Sequence, residues 1–167
     1  YVDDGVKLLR ITDLRDYGNI DYKNCPRVPK HYSLHNYLLK KGDVVFARTG
    51  GAGSFGVVSN IDEPVVYASY LIRFRFCDDL FNEEYQKYVF LSDSFQLSVR
   101  SNAHGGVNQN IHAEDIKNTY ITLPPKQEQQ EIVTYLDNQT AKIDKTIERA
   151  EQAIELLKER RTALISA

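Results

Sequence analysis

Nothing constrains the fold of this chain more than its last quarter, where residues 126–167 contain no glycine and no proline. Glutamine, glutamate, lysine, leucine, isoleucine and alanine dominate there, which favours helix. Leu136, Thr140, Ile143, Ile147, Ala150, Ile154, Leu157, Arg161 and Leu164 follow one another at alternating steps of four and three. That is a heptad repeat, and its 3.5-residue period predicts a coiled coil rather than a helix lying on its own domain. At its ordinary rise such a helix is roughly 60 Å long, too long to fold back along its whole length on a domain of about 120 residues. A partner helix is therefore expected to pack on Leu136, Ile143, Ile147, Ile154, Leu157 and Leu164. Thr140 and Arg161 read as exceptions that set the register.

Pro124-Pro125 marks the boundary, because neither residue donates to a sheet ladder and both can open a helix. Two domains are expected, residues 1–123 and 124–167. The first has the punctuation of a small mixed domain. Strands are predicted over 7–11, 44–47, 55–58, 65–67, 71–76 and 119–123. In the fifth, Ile72, Phe74 and Phe76 alternate with Arg73 and Arg75. One helix is predicted over 83–91, and Asp93 is placed to cap a second. The fold class is thus α+β, with one long C-terminal helix.

With 42% hydrophobic and 26% charged residues in 167, the chain can bury a core, which excludes wholesale disorder. No run approaches the roughly 18 apolar residues of a membrane span. The opening residues do not follow the pattern of a signal peptide. The sequence begins at Tyr1 and has no methionine, which reads as an excised fragment or a processed product. Cys25 and Cys77 are too few for a disulfide framework and read as free thiols in a reducing cytoplasm.

Charge is balanced overall at −2 but unevenly placed. From Lys23 to Arg75 eight Lys or Arg face three Asp or Glu, with His31, His35 and several tyrosines interleaved. Such a stretch suits a one-sided nucleic-acid surface as well as an ordinary mixed one. Lys23, Arg27, Lys30 and His31 are the candidates for backbone-positioning contacts.

Gly51, Gly53 and Gly56 formally match a dinucleotide fingerprint, but the residues after them read as a strand, where the fingerprint needs a helix. The segment is better read as a flexible hairpin tip presenting Arg48, Thr49 and Ser54 to phosphates or base edges. Asn108, Gln109 and Asn110 form a second candidate, since Asn and Gln amides match the adenine edge in the major groove; local turn-making is their alternative role. Cys25, His31 and His35 lack a fourth metal ligand and sit among prolines. Asp93 with Asp115 and Lys117 imitates a nuclease carboxylate set at a spacing common by chance. No nucleophile–base pair and no methyl-donor motif is legible.

Three segments carry a resemblance: Gly42-Asp43-Val44-Val45-Phe46-Ala47-Arg48-Thr49-Gly50-Gly51, Gly105-Gly106-Val107-Asn108-Gln109-Asn110-Ile111, and Leu123-Pro124-Pro125-Lys126-Gln127-Glu128-Gln129-Gln130 leading into the heptad helix. Over nearly its whole length the chain resembles the DNA-specificity subunit of type I restriction–modification systems. The resemblance implies one target recognition domain followed by a spacer helix. In that family two such units sit at opposite ends of an antiparallel coiled coil and read the two halves of a split site. It further implies double-stranded DNA, modification (methyltransferase) subunits and a restriction (motor–nuclease) subunit as partners, with no membrane involved. The chain itself would be non-catalytic and hold no cofactor; S-adenosylmethionine, ATP and magnesium would belong to partner subunits. One domain and one helix stand where the family's full subunit has two of each, and residues 7–14 resemble an internal part of the domain. A fragment, or a half-subunit forming a homodimer through its helix, would each account for that. The competing readings are a coiled-coil assembly module without DNA readout, and an enzyme acting through the glycine segment.

Overall fold

After Asp43, residues 44–47 are Val-Val-Phe-Ala, an apolar run with no polar face, and such a run is stable as a strand only when covered on both sides. In the computed structural model, which describes all residues except 50, 52, 60, 78, 104–109, 166 and 167, the strand Asp43–Ala47 is indeed buried at all five positions. The chain divides into two compact units, residues 1–129 and 130–167.

In the first unit, strands β1 (Val6–Leu9), β2 (Arg27–Val28) and β5 (Val65–Tyr67) form one sheet in the order β2-β1-β5. β1 runs antiparallel to β2 and parallel to β5. Strands β3 (Asp43–Ala47), β4 (Phe55–Val57) and β6 (Leu71–Arg75) form an antiparallel second sheet, β4-β3-β6. Short 3-10 turns occupy Ile11–Asp13, Asp16–Gly18 and Tyr32–Tyr37. Helices α1 (Glu83–Leu91), α2 (Asp93–Ser101) and α3 (Ala113–Lys117) follow, and α4 (Lys126–Ile165) begins in this unit.

Two cores use the two faces of β3. Val45 joins Leu9, Leu39, Val58, Val65 and Leu71 in an aliphatic cluster that bridges the sheets. Phe46, on the opposite face, enters an aromatic cluster containing all seven phenylalanines of the chain. Phe90 of α1 is its hub, with ring centroids of Phe95, Phe46, Phe55, Phe76 and Phe81 at 4.9, 5.2, 5.7, 5.7 and 5.9 Å. Several of these contacts are edge-on, a geometry that adds roughly 0.5–1.5 kcal/mol per pair to the area term.

At the start of β3 the carboxylate of Asp43 is fully buried yet satisfied. Arg75 Nε and Nη2 donate to it at 2.6 and 2.7 Å, and Lys40 N donates at 2.8 Å. The turn before it needs Gly42 at φ +83, a left-handed conformation that favours glycine.

Helix α1 is capped by Asn82, whose side chain accepts from Glu84 N and Tyr85 N. The cap of α2 is Ser92 rather than Asp93. The two helices are separated by this one residue, so Ser92 Oγ serves both, donating to Val89 O at 2.6 Å and accepting from Phe95 N at 3.4 Å. The strand expected over 119–123 does not form. Among the described residues no strand pairs with this segment; Tyr85 Oη donates to Thr122 O, and Tyr120 is fully exposed. Its β-branched residues therefore lack the pleated surface on which their strand preference depends. Beyond it, in the first turn of α4, Gln129 is fully buried. Its Oε1 accepts from Asn82 N, and its Nε2 donates to Leu80 O and Pro124 O, all at 2.7–2.8 Å.

In the second unit α4 continues without a break to Ile165. Ile143, Ile147, Ile154, Leu157 and Leu164 are each about half or more exposed there. No helix among the described residues is long and apolar enough to cross a membrane.

Phe90→Ala should lower the unfolding free energy of residues 1–129 by roughly 3–5 kcal/mol, seen as a fall in the urea midpoint at constant slope. A change below about 1 kcal/mol would contradict the hub role.

Candidate nucleic-acid interface

β3 delivers its last buried residue, Ala47, to the edge of the sheet, and the next two side chains emerge: Arg48 exposed and Thr49 half-buried. The backbone there is pinned from two other segments. Arg48 N donates to Tyr70 O at 2.8 Å, and Arg48 O accepts from Ile111 N at 2.9 Å. Thr49 forms an antiparallel bridge with Asn110. Ile111, fully buried, anchors that bridged segment. The hairpin and the final residue of the amide loop, far apart in sequence, thus meet. Asn108 and Gln109 lie outside the described residues.

Across the hairpin, Ala47 N donates to Ser54 O at 2.9 Å and Ser54 N to Gly51 O at 2.8 Å, leaving the Ser54 side chain exposed. The tip, expected to be flexible, is tied to α2. Gln96 Nε2 donates to Gly53 O at 3.0 Å and to Phe90 O at 2.6 Å. Gly53 has φ +93, and a Cβ there would stand 2.3 Å from Gln96 Oε1, so only glycine fits. Strand β4 follows this segment, and no helix N-terminus stands where the dinucleotide fingerprint needs one.

The basic stretch divides once folded. Arg27 pairs with Glu63 at 2.6 Å and donates to Gly5 O; Lys30 faces Asp4 at 3.3 Å; Lys41 faces Glu83 at 3.4 Å; Arg75 holds Asp43. Arg73 donates to Asn36 O and Leu38 O, with its guanidinium 5.5 Å from the centre of the Tyr67 ring. Among the described residues, Lys23, Lys40 and Arg48 make no ion pair. His31 is exposed and caps the turn Tyr32–Tyr37, its Nδ1 accepting from Ser33 N. Sequence reasoning passed over Tyr70, which is exposed at the bridged segment, and Arg100, which is exposed beside the tip. The turn between β5 and β6 and the polar stripe of α2 were the available signals.

Cys25 is buried, and burial pushes its thiol up to about 12. His31 and His35 are exposed, and no group of three or more His, Cys, Asp or Glu able to hold a metal occurs among the described residues. Glu63 accepts from Arg27 and Lys7, which hold its carboxyl down to about 2. This pairing joins β1 and β2 to the turn before β5. Because the folded value lies below the ordinary 4.5, the stabilisation is complete above that pH and disappears as pH falls through about 2. Acid titration followed by circular dichroism should show this loss, and Glu63→Gln should flatten the curve within that window. An unchanged curve would show that the pair contributes nothing.

The family described as "Type I restriction modification DNA specificity domain" matches residues 7–156. The type I restriction enzyme MjaVIII specificity subunit of Methanocaldococcus jannaschii is 28% identical over 155 residues, 89% of this chain and 35% of the relative. The EcoKI specificity subunit of Escherichia coli K12 is 30% identical over 155 residues, 87% of this chain and 32% of the relative. The chain spans about a third of the length of the curated relatives it matches. Among solved structures, the HsdS subunit from Thermoanaerobacter tengcongensis superposes with a TM-score of 0.68 at 18% identity, covering 84% of this chain and 37% of that one. At that identity the likeness is one of fold.

Proposed function

The chain belongs to the type I restriction–modification DNA specificity family, and from that membership we propose that it reads sequence in double-stranded DNA without catalysing a reaction. The observation that supports this reading most directly is the bridge between Thr49 and Asn110. It presents an uncommitted cation, Arg48, next to amide and hydroxyl groups at one rim of the fold, which is the side-chain chemistry that recognises base edges. Lys23 would contribute a backbone contact, and Arg27, Lys30 and His31 would do so only in competition with the partners they already hold. Modification and restriction subunits would complete the complex and carry S-adenosylmethionine, ATP and magnesium. The reducing cytoplasm suits its free thiols.

The second part of the proposal concerns α4. Exposed Ile143, Ile147, Ile154 and Leu157 continue the 3.5-residue stripe, and each such side chain stabilises an assembly by roughly 1.5–3 kcal/mol when fully buried. Their partner would be an equivalent helix, from a second copy or from another part of the same subunit. The assembly-module reading explains this stripe but gives no role to Arg48 and Asn110.

A complex of this chain with its modification subunits should enrich a short motif from a randomised duplex pool. Arg48→Ala or Asn110→Ala should relax preference at individual base pairs by roughly 1–3 kcal/mol each. Binding without any enriched motif would favour the assembly module. Separately, Ile147→Asp with Ile154→Asp should abolish self-association in sedimentation while residues 1–129 keep their urea midpoint. A wild-type chain that stays monomeric at high concentration would exclude the homodimer.

A further inference from the structure

On the β4 side of the hairpin tip lies a cleft of about 430 Å³ whose walls include Tyr17, Ser54, Asp93, Gln96 and Arg100. Asp93, Gln96 and Arg100 fall at i, i+3 and i+7 on α2, so they share one face, while Phe95 and Val99 turn into the core. The three have different commitments. Gln96 is consumed by Gly53 O and Phe90 O, and its remaining oxygen accepts from Arg100 Nη2 at 3.4 Å. Arg15, also at the cleft, is held by Asp21 at 2.8 Å. Arg100 is exposed and makes no ion pair among the described residues, so its guanidinium is the cleft's available cation.

Tyr17 is the one described non-glycine residue with positive φ, at +60, and its side chain is 71% exposed. A tyrosine in that conformation costs free energy that a solvent-facing ring does not return, and strain of this kind concentrates where a ligand is bound. Gly18 follows at φ +71 with its Cα against Phe55, where a Cβ would stand 2.5 Å from the ring. The turn is therefore fixed by the aromatic core, and Tyr17 is held at the cleft by it.

The charge of the walls decides what the cleft can take. Asp16 and Asp93 stand in it together with Arg100, so a phosphate would meet two carboxylates. A base pair is neutral and offers acceptors and donors side by side. Guanine presents two acceptors, O6 and N7, at the spacing of an arginine fork, and its paired cytosine presents an amino donor that a carboxylate can accept. We infer that this cleft is a second reading point, in which Arg100, steadied by Gln96, recognises the guanine of a G·C pair. The inference rests on the DNA-reading role proposed above and adds to it a residue and a base. Arg100 contacts the base; Gln96 is a positioning residue that acts through Arg100 and Gly53.

The test compares wild type, Arg100→Ala and Arg100→Lys, each assembled with the modification subunits, in selection from a randomised duplex pool over a salt series. The wild type should enrich a motif containing a guanine that Arg100→Ala no longer prefers, with discrimination at that position falling roughly tenfold. Arg100→Lys, which keeps the charge and loses the fork, should also lose most of that preference. A wild-type motif retained at every position by Arg100→Ala would overturn this inference and leave the DNA reading standing. Uniform weakening on all sequences, with the salt slope lowered by about one, would make Arg100 a phosphate contact and overturn it as well. A wild type that enriches nothing would sink both readings together.

Discussion

Phe46 packs on Phe90 and Phe95 from one face of β3, while Val45 lies in the aliphatic cluster with Leu9 and Leu71 on the other. A strand held from both faces cannot slip, because a one-residue shift would exchange the aromatic and aliphatic sets and bury neither correctly. The buried carboxylate of Asp43, held by two hydrogen bonds from the partly exposed Arg75, fixes its start. Removing Arg75 would be costly, because it would leave the Asp43 carboxylate short of its charged partner in a dry setting. The place where β3 ends, and hence where Arg48 and Thr49 emerge, follows from these constraints. The segments at the rim are then tied to it through Tyr70, Ile111 and Gln96. The candidate interface is in this sense the far end of the best-packed strand.

Several residues of the family-like segments have structural roles in this fold. Gly42 and Asp43 open the first of the three family-like segments, and both are structural: one adopts a left-handed turn, the other closes it with a buried carboxylate. In the third segment, Gln129 satisfies three backbone groups at the base of α1 and at Pro124. Its amide is fully used in a site that excludes water, so the residue type is fixed by hydrogen bonding.

Periodic features were legible in the sequence and irregular ones were not. The long helix, the helix Glu83–Leu91 and the alternation of Ile72 and Phe74 with Arg73 and Arg75 are each written in a repeat. The two-residue strand β2 and the 3-10 turns have no repeat to read. The segment 119–123 has strand-forming residues, but among the described residues no strand pairs with it. For the site, composition singled out Arg48, Thr49 and Asn110, but only folding shows that they adjoin. Charge was the least legible property. Arg27, Lys30 and Lys41 look free in sequence because Glu63, Asp4 and Glu83 are remote along the chain. Arg100 escaped notice because its neighbours on α2 share its face at helical spacing, while the hairpin beside it lies elsewhere in the sequence.

In the proposed reading, the rim formed by the hairpin and the bridged segment at Asn110 lies against the bases of DNA. Photo-crosslinking from position 49 tests it most directly, using a benzophenone side chain in place of Thr49 and a duplex carrying the site that the complex selects. Adducts confined to a few adjacent bases within that site are expected. Adducts to a partner protein instead of DNA, with sequence-selective binding intact, would contradict it.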